Sequence, residues 1–170
     1  MTVAEAIADW LAEKEIRHAF GIIGAGNLPL WEAISRKAKT QIICCHHEQA
    51  AAMSASFYHR TCGRIAVALV TTGAGSSNAI TGVMAAFMDS TPLLVLSGNE
   101  TAASLEGKTR VLGVQGYASA HLASEFTKYA RTVRADDAIC DMNRALRYAT
   151  EGRPGPVWIN VPRDVQNETI

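Results

Sequence analysis

Apolar residues near the start of the chain recur at helical spacing and then form a short continuous run. Within residues 2–14 they stand on one face of a predicted helix, at Val3, Ile7, Trp10 and Leu11. Residues 18–23 form an apolar run that meets Gly24-Ala25-Gly26, which predicts a strand ending in a tight turn. Asn27 can cap the helix that follows, with Pro29 in its first turn.

The middle of the chain alternates predicted strands with predicted helices. Short apolar runs predict three strands, over residues 41–45, 65–70 and 92–96. A segment rich in alanine, methionine and serine predicts a helix from Glu48 to about residue 61. Another helix, from about residue 76 to residue 88, follows the second glycine turn, Gly73-Ala74-Gly75.

The last third of the chain has a weaker pattern. Residues 98–124 show little periodicity, which predicts a long loop with a short helix. Asp136 or Asp137 can cap a helix that runs to about residue 150. A turn rich in glycine and proline then precedes a last strand over residues 157–161.

Strands that alternate with helices predict an α/β fold. We expect residues 1–170 to form a single doubly wound domain, with a central, mainly parallel sheet and helices on both faces. Ligands of such sheets bind beyond the carboxyl ends of the strands. Both glycine turns and the segment from Cys45 to Glu48 are predicted to lie there.

Composition and charge narrow the classes of function. Hydrophobic residues make up 48% of the 170 residues and charged residues 19%, which is typical of a globular protein with a sizeable core. The formal net charge is zero and no basic stripe occurs, so nothing indicates nucleic-acid binding. No apolar run is long enough to span a membrane, and no signal peptide is predicted. The spacing of the four cysteines does not indicate disulfides, which favours a reduced, cytoplasmic setting.

The glycine turns differ from a dinucleotide-binding fingerprint. That fingerprint needs a third glycine three positions after the second, and here those positions hold Pro29 and Asn78. No phosphate-loop lysine follows either turn. A nucleotide-binding regulator is therefore the weaker alternative, and turns that let the backbone approach a ligand or another subunit are favoured.

The segment Cys44-Cys45-His46-His47-Glu48 contains metal-ligand residue types in a spacing that argues against a metal site. Neighbouring strand residues point to opposite faces, and Ala51 stands where the zinc-protease motif needs histidine.

Glu48 has two interpretations. It is either a first-turn residue that favours the positive end of the helix dipole, or a carboxyl that burial at an interface makes a general acid. Composition alone favours the first.

Small residues on the helix after the second glycine turn indicate close packing against a neighbouring surface. They recur at helical spacing, at Ala79, Gly82, Ala85 and Ala86. Contact within the fold and contact with another subunit are both consistent with this pattern.

Seven segments resemble, in order, thiamine-diphosphate enzymes of the acetolactate synthase group. They are Phe20-Gly21-Ile22 with residues 24–30, His47-Glu48-Gln49-Ala50-Ala51, Tyr58-His59-Arg60 with Gly63-Arg64, residues 70–78, residues 88–93, residues 152–157 and residues 161–166. Together these segments span nearly the whole chain. The unit that they resemble is the pyrimidine-binding domain of the family.

The resemblance implies thiamine diphosphate as the cofactor. In the family the active site forms between a pyrimidine-binding domain and a diphosphate-binding domain, usually of different subunits. The resemblance assigns to Glu48 the hydrogen bond or proton transfer to N1′ of the aminopyrimidine, which favours the buried-carboxyl interpretation. The other residues that it implies line the cofactor (Gly24, Ala25, Gly26, Gly73, Ala74, Gly75 and Asn78) or border the substrate pocket (Asn27, His47 and Gln115).

The metal-binding motif of the family's diphosphate domain, which begins with GDG, does not occur in this sequence. We therefore expect a separate diphosphate-binding subunit that holds Mg²⁺, in a heterotetramer or larger assembly. The expected reaction is decarboxylation of a pyruvate-like 2-oxo acid with transfer of the acyl unit to an acceptor. One alternative is a split decarboxylase of the sulfopyruvate or phosphonopyruvate type, which releases an aldehyde. Another is a non-catalytic scaffold on the same fold, against which the presence of Glu48 argues.

Overall fold

The structure, a computed structural model, describes residues 1–37, 39–106 and 113–170. The strands described are β1 (His18–Gly21), β2 (Gln41–Cys44), β3 (Val67–Val70), β4 (Leu93–Asn99), β5 (Tyr129–Thr132) and β6 (Pro156–Pro162). The helices described are α1 (Val3–Glu13), α2 (Leu28–Lys37), α3 (Glu48–Cys62), α4 (Ala74–Met88), α5 (Ala102–Glu106), α6 (Ser119–Ala123), α7 (Ala138–Thr150) and α8 (Arg163–Asn167).

The six strands form one sheet in the order β2-β1-β3-β4-β6-β5, and every neighbouring pair is parallel. The longest pairing joins β4 to β6 over seven residues, from Leu93 opposite Pro156 to Asn99 opposite Pro162. This architecture confirms the predicted α/β fold. Because all pairings are parallel, the carboxyl ends of the strands meet at one edge of the sheet.

Alternate residues of the central strands supply two cores, one on each face of the sheet. On β3, Val67 and Leu69 pack with α1, α2 and α7, whereas Ala68 and Val70 pack with α3 and α4. All four side chains are fully buried. Burial on both faces explains why this strand is a continuous apolar run rather than an alternating one.

Three elements differ from the sequence-based prediction. The edge strand β5 was not predicted, because its sequence Tyr-Ala-Arg-Thr is partly polar and its side chains are only partly buried. The region predicted as a loop with one short helix contains two, α5 and α6, and its residues 107–112 lie outside the described part. The short helix α8 was also missed.

The predicted helix caps are both wrong. The side chain of Asn27 turns back into the first glycine turn, where it accepts a hydrogen bond from the Gly24 N–H (2.8 Å) and donates to the Ile22 carbonyl (3.0 Å). Asp137 stands directly before α7 but has helical dihedral angles (φ −104°, ψ −6°) and makes no side-chain cap bond. A capping side chain needs extended backbone, which the preceding 3-10 turn prevents.

The first turn of α2 is capped instead by Gln166 from the far end of the chain. Its Oε1 accepts a hydrogen bond from the Leu30 N–H (3.3 Å), while its Nε2 donates to the carbonyls of Gly26 (2.6 Å) and Val161 (2.7 Å). The side chain is fully buried. Gln166 therefore ties α8, β6 and α2 to the first glycine turn.

We expect Gln166→Glu to lower the free energy of unfolding by at least about 2 kcal/mol, because a carboxylate cannot donate to the two buried carbonyls. Urea denaturation of the chain measures this loss. Gln41→Glu is the matched control, since Gln41 is exposed on β2 and a surface change of this kind costs little. Equal unfolding midpoints for the two variants would contradict the role of Gln166.

Candidate functional site

The candidate site lies where the strand order of the sheet reverses. From β1 the chain crosses to β2 on one side and later returns to β3 on the other side. In open parallel sheets such a switch point leaves a crevice beyond the carboxyl ends of the two strands, and ligands bind there. Both glycine turns follow these strands, Gly24-Ala25-Gly26 after β1 and Gly73-Ala74-Gly75 after β3.

The two glycine turns are packed together through the threonines that follow β3. The Gly26 N–H donates to Oγ1 of Thr71 (3.2 Å). A Cβ added at Gly24 would lie 2.5 Å from the same oxygen, and one added at Gly26 would lie 2.5 Å from Cγ2 of Thr72. Since real Cβ atoms do not approach so closely, only glycine allows this contact.

The second turn also contacts the segment that holds Gln115. Gly73 has a left-handed backbone (φ +63°), and a Cβ at this position would lie 2.9 Å from Cγ of Gln115. The hydroxyl of Tyr117 donates to the Gly73 carbonyl (2.8 Å). The structure therefore brings Gln115 to the edge of the second glycine turn.

Glu48 is the first residue of α3, and its carboxyl is buried within this chain, with an exposed fraction of 9%. Its Oε2 accepts a hydrogen bond from Nδ2 of Asn78 on α4 (3.0 Å). Its Oε1 lies on the side of Gly75, where an added Cβ would come within 3.2 Å. The N-terminus of α3 is capped by His47, whose Nδ1 accepts from the Gln49 N–H (3.2 Å).

The remaining predicted site residues differ in their exposure. Ala25, Ala74, His47 and Gln115 are exposed around the crevice. Asn27 is fully buried, and its side-chain amide closes the first glycine turn, so it is not available to a ligand in this structure.

Sequence reasoning missed the contribution of Thr71, Thr72 and Tyr117. The two threonines lie between the carboxyl end of β3 and the second glycine turn. That position in the sequence could have identified them as site residues. Tyr117 lies in a segment without periodicity, and only its tertiary contact with Gly73 reveals it.

Small residues on α4 lie mainly inside the fold. Gly82 packs directly on α3, because a Cβ there would lie 2.7 Å from that of Ala52. Ala79 and Ala86 are also buried, whereas Ala85 is exposed. Contact within the fold therefore accounts for three of the four small residues.

Metal-ligating side chains do not gather at this site. Across residues 1–37, 39–106 and 113–170, no three histidine, cysteine, aspartate or glutamate side chains are close enough to hold a metal ion. None of the described helices combines the length and the apolar character that crossing a bilayer requires.

Comparison with known proteins gives the family of the chain. The family model described as "Thiamine pyrophosphate enzyme, N-terminal TPP binding domain" matches residues 1–124. The chain belongs to this family. Thiamine pyrophosphate is the same compound as thiamine diphosphate, so the resemblance of the sequence motifs to thiamine-diphosphate enzymes is confirmed.

Similar curated proteins include acetolactate synthases. The chain is 36% identical over 167 residues to the acetolactate synthase large subunit of Buchnera aphidicola subsp. Schizaphis graminum. The match covers 98% of this chain and 28% of the relative. It is 36% identical over 166 residues to the acetolactate synthase isozyme 1 large subunit of Escherichia coli K12. That match covers 97% of this chain and 29% of the relative. With the acetolactate synthase large subunit of Lactococcus lactis it shares 35% identity over 163 residues, which cover 95% of this chain and 28% of the relative. This thiamine pyrophosphate-binding domain thus spans less than a third of the relatives' length.

The adjacent cysteines Cys44 and Cys45 allow a test of the packing beside the first glycine turn. Burial raises the pKa of the Cys45 thiol, while Cys44 is exposed. Because the thiolate is the reactive form, we expect iodoacetamide at pH 8 to modify Cys44 several-fold faster than Cys45. Fragment-ion mass spectrometry of the peptide measures both rates. The difference should vanish in urea, and equal rates in the folded chain would contradict this packing.

Proposed function

We propose that this domain binds the aminopyrimidine half of thiamine diphosphate in an acetolactate synthase-like enzyme. The enzyme decarboxylates a pyruvate-like 2-oxo acid and transfers the acyl unit to an acceptor. The observation that carries this proposal is the buried carboxyl of Glu48, held by Asn78 beside the second glycine turn. The similarity to acetolactate synthases supports the choice of reaction.

In this proposal the two oxygens of Glu48 have different tasks. Oε2 is held by the amide of Asn78, which fixes the orientation of the carboxyl. Oε1, beside Gly75, exchanges a proton or shares a hydrogen bond with N1′ of the aminopyrimidine. The bound cofactor supplies the electron sink for decarboxylation. A general acid of this kind contributes about 10²–10⁴ in rate.

The described residues fit the pyrimidine half of the cofactor but not its diphosphate. A carboxyl can pair with a ring nitrogen, and the two Gly-Ala-Gly turns carry no side chain larger than a methyl group. Magnesium needs several oxygen ligands, and among the described residues no three histidine, cysteine, aspartate or glutamate side chains lie close enough to hold a metal ion. We propose that a separate subunit holds Mg²⁺ and the diphosphate, in a heterotetramer or larger assembly.

Exposed apolar side chains toward the C-terminal ends of α3 and α4 support docking of such a subunit on this pair of helices. The two helices pack on each other at Gly82 and leave Phe57 58% exposed and Met88 61% exposed. Arg60 lies over the Phe57 ring and pairs with Asp89, the residue that follows Met88 (3.0 Å). Large exposed apolar side chains grouped in this way mark interaction surfaces.

Glu48→Gln should lower thiamine-diphosphate-dependent turnover of the complex at least about 10²-fold, because the amide cannot transfer a proton. The complex is obtained by co-purification of this chain with its partner from the native host, and turnover is measured with pyruvate. Co-purification itself should be unchanged. Glu32→Gln, an exposed acid on α2, is the control. Near-normal turnover of the Glu48→Gln complex would remove Glu48 from the mechanism.

The same assay distinguishes acyl transfer from simple decarboxylation. With pyruvate as both donor and acceptor, the expected product is acetolactate. Acetaldehyde as the only product would contradict transfer. Turnover of sulfopyruvate or phosphonopyruvate to an aldehyde would instead support the split-decarboxylase alternative.

Phe57→Ser should weaken binding of the partner subunit about 10–100-fold, because burying an aromatic side chain at an interface stabilises it by about 1.5–3 kcal/mol. Titration of the partner against the labelled chain measures this affinity. Tyr148→Ser is the control: Tyr148 is also exposed, but lies on α7 on the opposite face of the sheet. Equal affinities for the two variants would exclude the α3–α4 face from the interface.

A further inference from the structure

The segment that holds Gln115 has little apolar contact of its own. Residues Gly113–Gln115 form a short 3-10 helix in which no side chain is buried, and Val114 is 63% exposed. Apolar burial therefore does not explain why Gln115 lies against Gly73. Hydrogen bonds from the next residues supply the explanation.

Tyr117 is held at two points. Its hydroxyl donates to the Gly73 carbonyl (2.8 Å) in the second glycine turn. Its own carbonyl accepts from Nδ2 of Asn99 (3.2 Å), a fully buried residue at the carboxyl end of β4. One residue thus joins the Gln115 segment both to the glycine turn and to the sheet.

A buried polar network fixes the next residues of the segment. Oγ of Ser119 lies 3.3 Å from Nδ2 of Asn99, 3.0 Å from Oγ of Ser97 and 2.8 Å from Oδ1 of Asn160. Nδ2 of Asn160 then donates to Thr132 on the edge strand (3.1 Å). Because Ser97, Asn99, Ser119 and Asn160 are buried and bonded to each other, the network sets one register for this part of the chain.

We propose that Tyr117 is a positioning residue whose hydrogen bond to the Gly73 carbonyl holds Gln115 at the edge of the cofactor crevice. This inference rests on the proposed function, in which Gln115 borders the pocket for the 2-oxo acid. The geometry of Gly73 supports it, since only a residue without a Cβ lets Gln115 approach this closely.

The Tyr117 hydroxyl is suited to this task over a wide pH range. Burial raises its pKa above the ordinary tyrosine value of about 10. Below that value the phenol is protonated in both the folded and the unfolded chain, and the hydrogen bond is fully present. Its contribution is lost only as the pH rises through the pKa of the folded state.

Hydrogen exchange tests the positioning directly. Tyr117→Phe removes one hydroxyl and keeps the ring, so we expect the Gly116 amide, which donates to the Gly113 carbonyl (3.3 Å), to exchange about fivefold faster, as for the loss of one average hydrogen bond. Tyr148→Phe is the matched control and should leave this amide unchanged. Unchanged exchange of the Gly116 amide in Tyr117→Phe would overturn the proposal, whatever the complex catalyses.

A double-mutant cycle in the co-purified complex tests whether Tyr117 acts through Gln115. Tyr117→Phe alone should raise KM for pyruvate severalfold with a smaller change in kcat. The same substitution in a Gln115→Ala background should have no further effect on KM. An effect of equal size in both backgrounds would overturn the proposal. Absence of thiamine-diphosphate-dependent turnover in the unmodified complex would instead refute the proposed function, and the exchange measurement still decides the role of Tyr117.

Discussion

The contact between the two glycine turns at the carboxyl edge of the sheet is the constraint on which the site depends. Thr71 and Thr72 fill the space that side chains at Gly24 and Gly26 would need. The two turns consequently pack closely at the carboxyl ends of β1 and β3. A larger residue at either glycine would separate the turns and displace the strands that support them.

Glu48, the first residue of α3, is buried within this chain. Removing a carboxyl from water is costly unless hydrogen bonds replace the lost hydration. Asn78 provides one such bond, and the other oxygen lies beside Gly75, which carries no side chain. A ring nitrogen from a cofactor would satisfy that oxygen, so burial, helix position and proposed chemistry agree.

The two faces of the sheet differ in the size of the side chains packed against them. One face packs large apolar side chains of α1, α2 and α7 into a core. The other face is rich in alanine, and Gly82 lets α3 and α4 approach closely enough to fix Glu48 against Asn78. The outer surfaces of α3 and α4 retain exposed Phe57 and Met88, which is consistent with a further subunit on that side.

Local patterns in the sequence were sufficient to predict strands β1, β2, β3, β4 and β6, most of the helices and the family. Periodicity and short motifs depend only on residues that are close together in the chain. These patterns did not predict the edge strand β5, because its sequence is only weakly apolar. Only the tertiary structure decided that Asn27 closes a turn instead of capping a helix. Gln166 supplies that cap from 136 residues away, and Tyr117 ties Gln115 to Gly73. Such bonds join segments far apart in the chain, and they exist only after folding has placed the carboxyl ends of the strands side by side.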